Sequence, residues 1–182
     1  MNEKNFQGEI KQSINFLNPL AHYCKIPDPS RFEIAEAETS RRPYDAYCTY
    51  KDEFIAFEYK QIKEPKGFAF DKVETHQIYG LLDVEKGFNR GYVLINYRFK
   101  FNDKQIKKYK MNAVRHNFSL LLRVKEFVDI KNIYKTYLNK KSLPFAFVWS
   151  LYQQKDDHII YWEKIKDTYV WNLKNILEPC KN

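Results

Sequence analysis

The chain has 182 residues, 31 Lys and Arg against 23 Asp and Glu, 44% hydrophobic and 17% aromatic residues. That aromatic content excludes a disordered chain, and five glycines with seven prolines exclude a collagen-like or low-complexity one. The net charge of +8 is unevenly spread: residues 1–97 carry −2, residues 98–141 carry +10 and residues 142–182 carry 0. A basic block of this kind points to an anionic partner.

Taken in chain order, Ile10, Ile14 and Leu17 predict a helix from Gln7 to about Leu20, with Pro19 near its end. Residues 25–43, rich in Pro, Ser, Glu and Arg, read as a loop or irregular arm. Tyr44–Tyr50 and Phe54–Lys60 predict strands, and the short polar break Lys51–Glu53 joins them as a hairpin. Gln61–Phe70 reads as a loop. Asp71–Phe88 predicts a helix, with Asp71 as N-cap and Glu74 three residues on. GYVLINY, 91–97, is apolar enough for a strand buried on both faces. A basic stretch follows to Lys110. Phe118–Phe127 then predicts a strand, Asp129–Leu138 a helix with Ile133 and Tyr137 on one side, His158–Ile165 a strand, and Asp167–Leu177 a last helix ended by Pro179. The expected class is α/β (α+β), a central mixed sheet flanked by helices, in one domain.

Cys24, Cys48 and Cys180 are too few and too scattered for a disulfide framework or a zinc site, so a reducing, cytoplasmic setting is expected. The polar start MNEKNFQGEI lacks a signal peptide's apolar core. The longest nearly apolar run, LPFAFVWSLY at 143–152, is too short to span a bilayer, so no membrane partner is expected.

The hairpin carries the sharpest chemical signal. With Lys51 and Asp52 as a two-residue loop, Tyr50 pairs with Glu53 and the register runs down to Asp45 opposite Glu58. Opposed side chains stand about 5 Å apart at Cβ. Lys60, two residues beyond Glu58, shares its face. Two carboxylates beside an ammonium can share a hard cation such as Mg²⁺, activate a water and offset charge growing on a phosphate. An ordinary ion pair at a strand end is the plain alternative. The Lys-Asp loop lacks the glycine usual in such turns.

PYDAY, FIAFEYK, THQI and GYVLINY together resemble the PD-(D/E)XK nuclease superfamily, and within it the RecU-type Holliday junction resolvases. The resemblance implies a restriction-endonuclease-like core over about 7–142, with 143–182 as an extension. It makes Asp45 and Glu58 metal ligands and Lys60 the catalytic lysine. It places Gln77 beside the metal, and Glu9 matches an early acidic position. It continues through NFSLLLRVKEF, 117–127, and KKS, 140–142. The cofactor implied is Mg²⁺, with Mn²⁺ able to substitute. The partner implied is four-way or other branched DNA, cut by a homodimer. A different nuclease of the same superfamily, a non-catalytic nucleic-acid-binding protein and a scaffold for an acidic protein are the alternatives.

Each of these residues has a plainer reading too. Gln77 shares a helix face with Val73, Leu81 and Val84 and can be a satisfied buried amide. Glu9 suits a helix N-terminus on dipole grounds alone. In YRFKFNDKQIKKYK, 97–110, the cations Arg98, Lys100, Lys104, Lys107, Lys108 and Lys110 can track phosphates, while the rings stack on bases or pack beneath the lysines. Arg41, Arg42, Lys140 and Lys141 are further candidate backbone contacts. Trp149, Trp162 and Trp171 read as core or dimer interface, His76 as surface or packing, and His22 with Cys24 as structural.

Overall fold

The computed structural model describes residues 3–27, 41–87, 89–109, 115–165 and 168–177. Helix α1 (Glu3–Leu17) sets Phe6, Ile10 and Ile14 on one buried stripe and closes before Pro19. Strands β1 (His22–Lys25), β2 (Ala46–Tyr50) and β3 (Glu53–Ile62) follow as an antiparallel meander. A short β4 (Phe68–Ala69) and a 3-10 turn (Phe70–Lys72) lead to helix α2 (Thr75–Val84). Strand β5 (Arg90–Lys100) then runs parallel to β3. Parallel neighbours need a crossover, and α2 is part of it.

Helix α3 (Asp103–Tyr109) precedes β6 (Arg115–Arg123), and helix α4 (Val124–Thr136) begins directly after that strand. The chain continues through β7 (Ser142–Leu143), α5 (Phe145–Gln154), β8 (Ile159–Ile165), β9 (Thr168–Trp171) and α6 (Lys174–Leu177). The main sheet has the order β1-β2-β3-β5-β6-β8-β9, and β4 pairs separately with β7. The mixed sheet flanked by helices is the class the sequence predicts.

Alternation sorts the core into two layers. Ile55, Phe57 and Tyr59 face α1 and α6, together with Leu94, Trp171 and Ile176. Ala56 and Ile62 face the opposite side, with Ile78 and Leu81 of α2, Phe127 of α4 and Phe145 and Trp149 of α5. Strand β5 lies between the layers and is buried from Arg90 through Phe99, as its apolar sequence predicts.

Several predicted elements are displaced. The second helix starts at Thr75, capped by Glu74 with Gln77 at its third position, so Asp71 falls in the 3-10 turn instead. The predicted strand at 118–127 ends at Arg123, where Glu126 caps α4 by accepting the Arg123 N–H at 2.7 Å. Ile133 and Tyr137, which the sequence sets together on one side of the 129–138 helix, are 49% and 81% exposed. The predicted terminal helix is β9 followed by the short α6, because Tyr169 and Trp171 pair with Lys164 and Trp162. The apolar run 143–152 forms most of α5, and His22–Lys25, of which only Lys25 falls in the predicted loop and the rest has no predicted element, is an edge strand. Among the described residues no helix is long and apolar enough to cross a membrane.

Candidate active site

The hairpin register is the one read from the sequence: Tyr50 faces Glu53 and Thr49 faces Phe54, through to Ala46 facing Phe57. The loop is Lys51-Asp52. Lacking glycine, it closes with Lys51 itself at φ 52°. Direct opposition stops one residue short of the predicted carboxylate pair. The chain bends at Asp45, whose N–H donates to the Phe57 carbonyl at 3.0 Å rather than extending the ladder to Glu58.

The bend still brings Asp45 to Glu58. Tyr59 N–H, next to Glu58, donates to Asp45 Oδ2 at 2.9 Å. Both carboxyl groups are buried, at 1% and 0% exposure. Lys60 Nζ donates to Glu58 Oε1 at 2.6 Å, and Arg42 Nη2 lies 2.8 Å from Asp45 Oδ1. Glu58 Oε2 is buried with no hydrogen-bond partner. Burial, and then the Asp45 charge, push the Glu58 carboxyl up to about 8, while Lys60 and Arg42 pull the other way. Alternation along β3 puts Glu58 and Lys60 on the face that carries Ala56 and Ile62, under α2 and α4.

Two of the expected site residues are engaged elsewhere. Gln77 is buried on α2, but its Oε1 accepts the Glu74 N–H at 2.9 Å and completes a capping box. This is the satisfied-amide reading of that residue. Glu9 sits across the sheet, on α1. Its carboxylate takes both terminal nitrogens of Arg98, at 3.1 and 2.5 Å, and the Trp171 Nε1–H at 3.2 Å. Asn96 and Arg98 fall on the same α1-facing side of β5, so Glu9 is not brought to Asp45 and Glu58.

The same pair removes Arg98 from the candidate DNA contacts. It is 8% exposed and also donates from Nε to Asn117 at 3.1 Å. Arg42 is held against Asp45. Arg41, Lys100, Lys104, Lys107, Lys108, Lys140 and Lys141 are all exposed, and Lys110 lies outside the described residues. In the basic stretch, the rings pack beneath the lysines rather than standing free for bases. Tyr109 stacks on Phe101 with centroids 5.4 Å apart, and Phe99 and Phe101 are buried against Trp149.

Asp45 and Glu58 fit a small hard cation better than a self-contained protein cage. Glu58 keeps a buried carboxylate oxygen without a hydrogen-bond donor, Oε2, while Asp45 Oδ1 is balanced only by the Arg42 guanidinium. Mg²⁺ takes one or two carboxylates and fills its other positions with water and phosphate oxygen. Among the described residues there is no group of three or more His, Cys, Asp or Glu placed to hold a metal ion. Sequence reasoning missed Arg42 as the counter-ion of Asp45; its i, i+3 spacing ahead of the acid was the available signal. It also missed Glu74 as the cap that occupies Gln77.

No protein-family model matches the chain, and no curated protein shows a significant match to it.

Proposed function

We propose that this protein is a Mg²⁺-dependent DNA endonuclease that hydrolyses phosphodiester bonds, with branched four-way junctions as its preferred substrate. The observation that carries the reading is the buried pair Asp45 and Glu58 with Lys60 on Glu58. The order of parts supports it: a strand acid, Glu-x-Lys on the next strand, a His-Gln helix and then a buried apolar strand. This is the order that the resemblance to PD-(D/E)XK nucleases implies.

Asp45 and Glu58 would hold the ion, which supplies a Lewis acid for the phosphate and lowers the pKa of a bound water. Glu58 must shed its proton before it can serve as a ligand. Lys60, bonded to Glu58 Oε1, is the cation placed to orient the attacking water or to offset charge on the pentacovalent phosphorus. The P–O bond to the 3′ oxygen breaks, leaving a 5′-phosphate on the product. Backbone contacts carry no direct sequence information, so base identity matters little for binding. Paired cuts across a four-way junction call for a two-fold homodimer with one site in each subunit.

The test is cleavage of a labelled four-way junction and of a matched linear duplex, with and without Mg²⁺. The expected result is metal-dependent nicking of the junction, lost in Asp45→Asn and Glu58→Gln. Cleavage that persists in both variants, or no cleavage of either DNA, would overturn the reading.

A further inference from the structure

Two cavities flank α4, of about 560 Å³ and 350 Å³. The larger is lined by Arg41, the first turn of α2 and Lys131 with Lys135 of α4. The smaller is lined by Lys135, Asn139, Lys140 and Lys141. Asp71 and Lys135 line both, so the two are contiguous and form one channel. Five cations from three separate segments converge on it, against the acids Asp71 and Glu74.

Several buried or half-buried basic side chains elsewhere are taken up in ion pairs. Arg42 meets Asp45, Arg90 meets Glu53, Arg98 meets Glu9, and Arg123 and Lys125 meet Glu85. In the channel, Lys131 and Lys135 stand one helical turn apart, where like charges repel. Burial, and then the charge of Lys135, lower the Lys131 ammonium below its ordinary range, with Asp71 opposing. Lys135, near the end of α4, also suits the helix dipole, but Arg41, Lys140 and Lys141 come from outside that helix and have no such reason to gather. A row of cations along an open channel is what a phosphate chain requires.

The channel also leads to the chemistry. Arg41 adjoins Arg42, whose guanidinium is on Asp45. Tyr79, 64% exposed, adds an aromatic ring to the wall.

We propose that the channel between α2 and the end of α4 holds the phosphate backbone of the DNA strand entering the site, gripped by Arg41, Lys131, Lys135, Lys140 and Lys141. The inference rests on the nuclease reading and assigns Lys131 and Lys135, which neither the basic stretch nor the resemblance singles out.

The experiment is anisotropy of a labelled DNA junction in EDTA, with salt varied, on the full chain. Lys131→Gln, Lys135→Gln, Lys140→Gln and Lys141→Gln are combined, which removes the charges but keeps polar side chains of good helix propensity. Losing four phosphate contacts lowers the magnitude of the log K against log salt slope by about 3 to 4. Should that variant not fold, Lys140→Glu with Lys141→Glu, both exposed, lowers the slope by about 2. A comparison variant removes Lys104, Lys107 and Lys108 of α3. A wild-type slope in the channel variants, while the wild type binds and cuts DNA, would overturn the channel alone. A wild type that binds no DNA would overturn the nuclease reading and the channel with it.

Discussion

Glu58 and Lys60 are joined on one strand: Lys60 Nζ donates to Glu58 Oε1 at 2.6 Å, yet Oε2 of the same carboxyl is buried without a donor. One oxygen is satisfied and the other is held ready. Burial keeps the proton on this group to about pH 8, and Lys60 does not offset it fully.

Stability is expected to fall as pH rises from 4.5 to 8. Over that window the folded chain keeps a Glu58 proton that the unfolded chain releases, so each pH unit costs up to about 1.4 kcal/mol. Urea unfolding at pH 6 and pH 8.5 measures this. Glu58→Gln removes its share of the slope and is more stable than wild type at pH 8.5. At the proposed metal site Mg²⁺ would take the ionised form, so it is expected to raise the melting temperature more at pH 8 than at pH 6 in wild type and to have little effect on the variant. Equal slopes for wild type and Glu58→Gln would refute the account.

Lys60→Ala is expected to lower cleavage by about 100-fold or more, since it removes the only ammonium bonded to Glu58 among the described residues. DNA binding in EDTA stays near wild type. Because Lys60 pulls the Glu58 proton affinity down, the fall in stability of this variant extends to higher pH. A variant that cuts as fast as wild type would remove Lys60 from the mechanism.

Glu9 and Arg98 test the division between the two faces. Removing one member of this largely buried pair leaves the other's charge uncompensated, at about 3 kcal/mol. Glu9→Gln is therefore expected to lower the urea midpoint while keeping metal-dependent cleavage per folded molecule. A stable Glu9→Gln protein without cleavage would place Glu9 in the chemistry after all.

Gly80 is where α2 meets the arm that carries the site. A Cβ there would overlap Pro43 Cβ and fall 2.7 Å from the Pro43 carbonyl oxygen, two residues before Asp45. Gly80→Ala is expected to cost about 2 kcal/mol through overpacking. It should also weaken Mg²⁺ binding by displacing Arg42 and Asp45 together, read by the metal-induced shift in melting temperature. An unchanged shift would show that the arm does not position Asp45.

The parts of the site that were legible in the sequence are those governed by period-2 alternation. The hairpin register and the shared face of Glu58 and Lys60 follow from it, and the two-residue loop held even without glycine. What failed depended on contacts between distant segments. Nothing in the residues around Glu9 shows that Arg98, 89 positions away, will claim it from the far side of the sheet. Gln77 is engaged for a local reason: Glu74, seen as a third helical residue, is the cap, and the capping box takes the Gln77 amide oxygen. The end of the chain misled because 167–177 alternates enough for a strand but is bounded like a helix. Pairing with β8 decided it.

The main sheet is two antiparallel meanders, β1-β2-β3 and β5-β6-β8-β9, joined along a single parallel seam from Ile55–Arg90 to Ile62–Tyr97. The β2–β3 hairpin closes over Lys51-Asp52 alone, whereas the seam must close over the crossover from Ile62 to Arg90, and the β6–β8 pairing over the longer stretch from Arg123 to Ile159. Loop-closure entropy falls mainly on these long connections. The carboxylates belong to the first meander, while the lysines of the channel follow β5. Assembly of the seam, with α4 then docked beside α2, thus turns a hairpin with two awkward acids into the place proposed to hold an anion beside them.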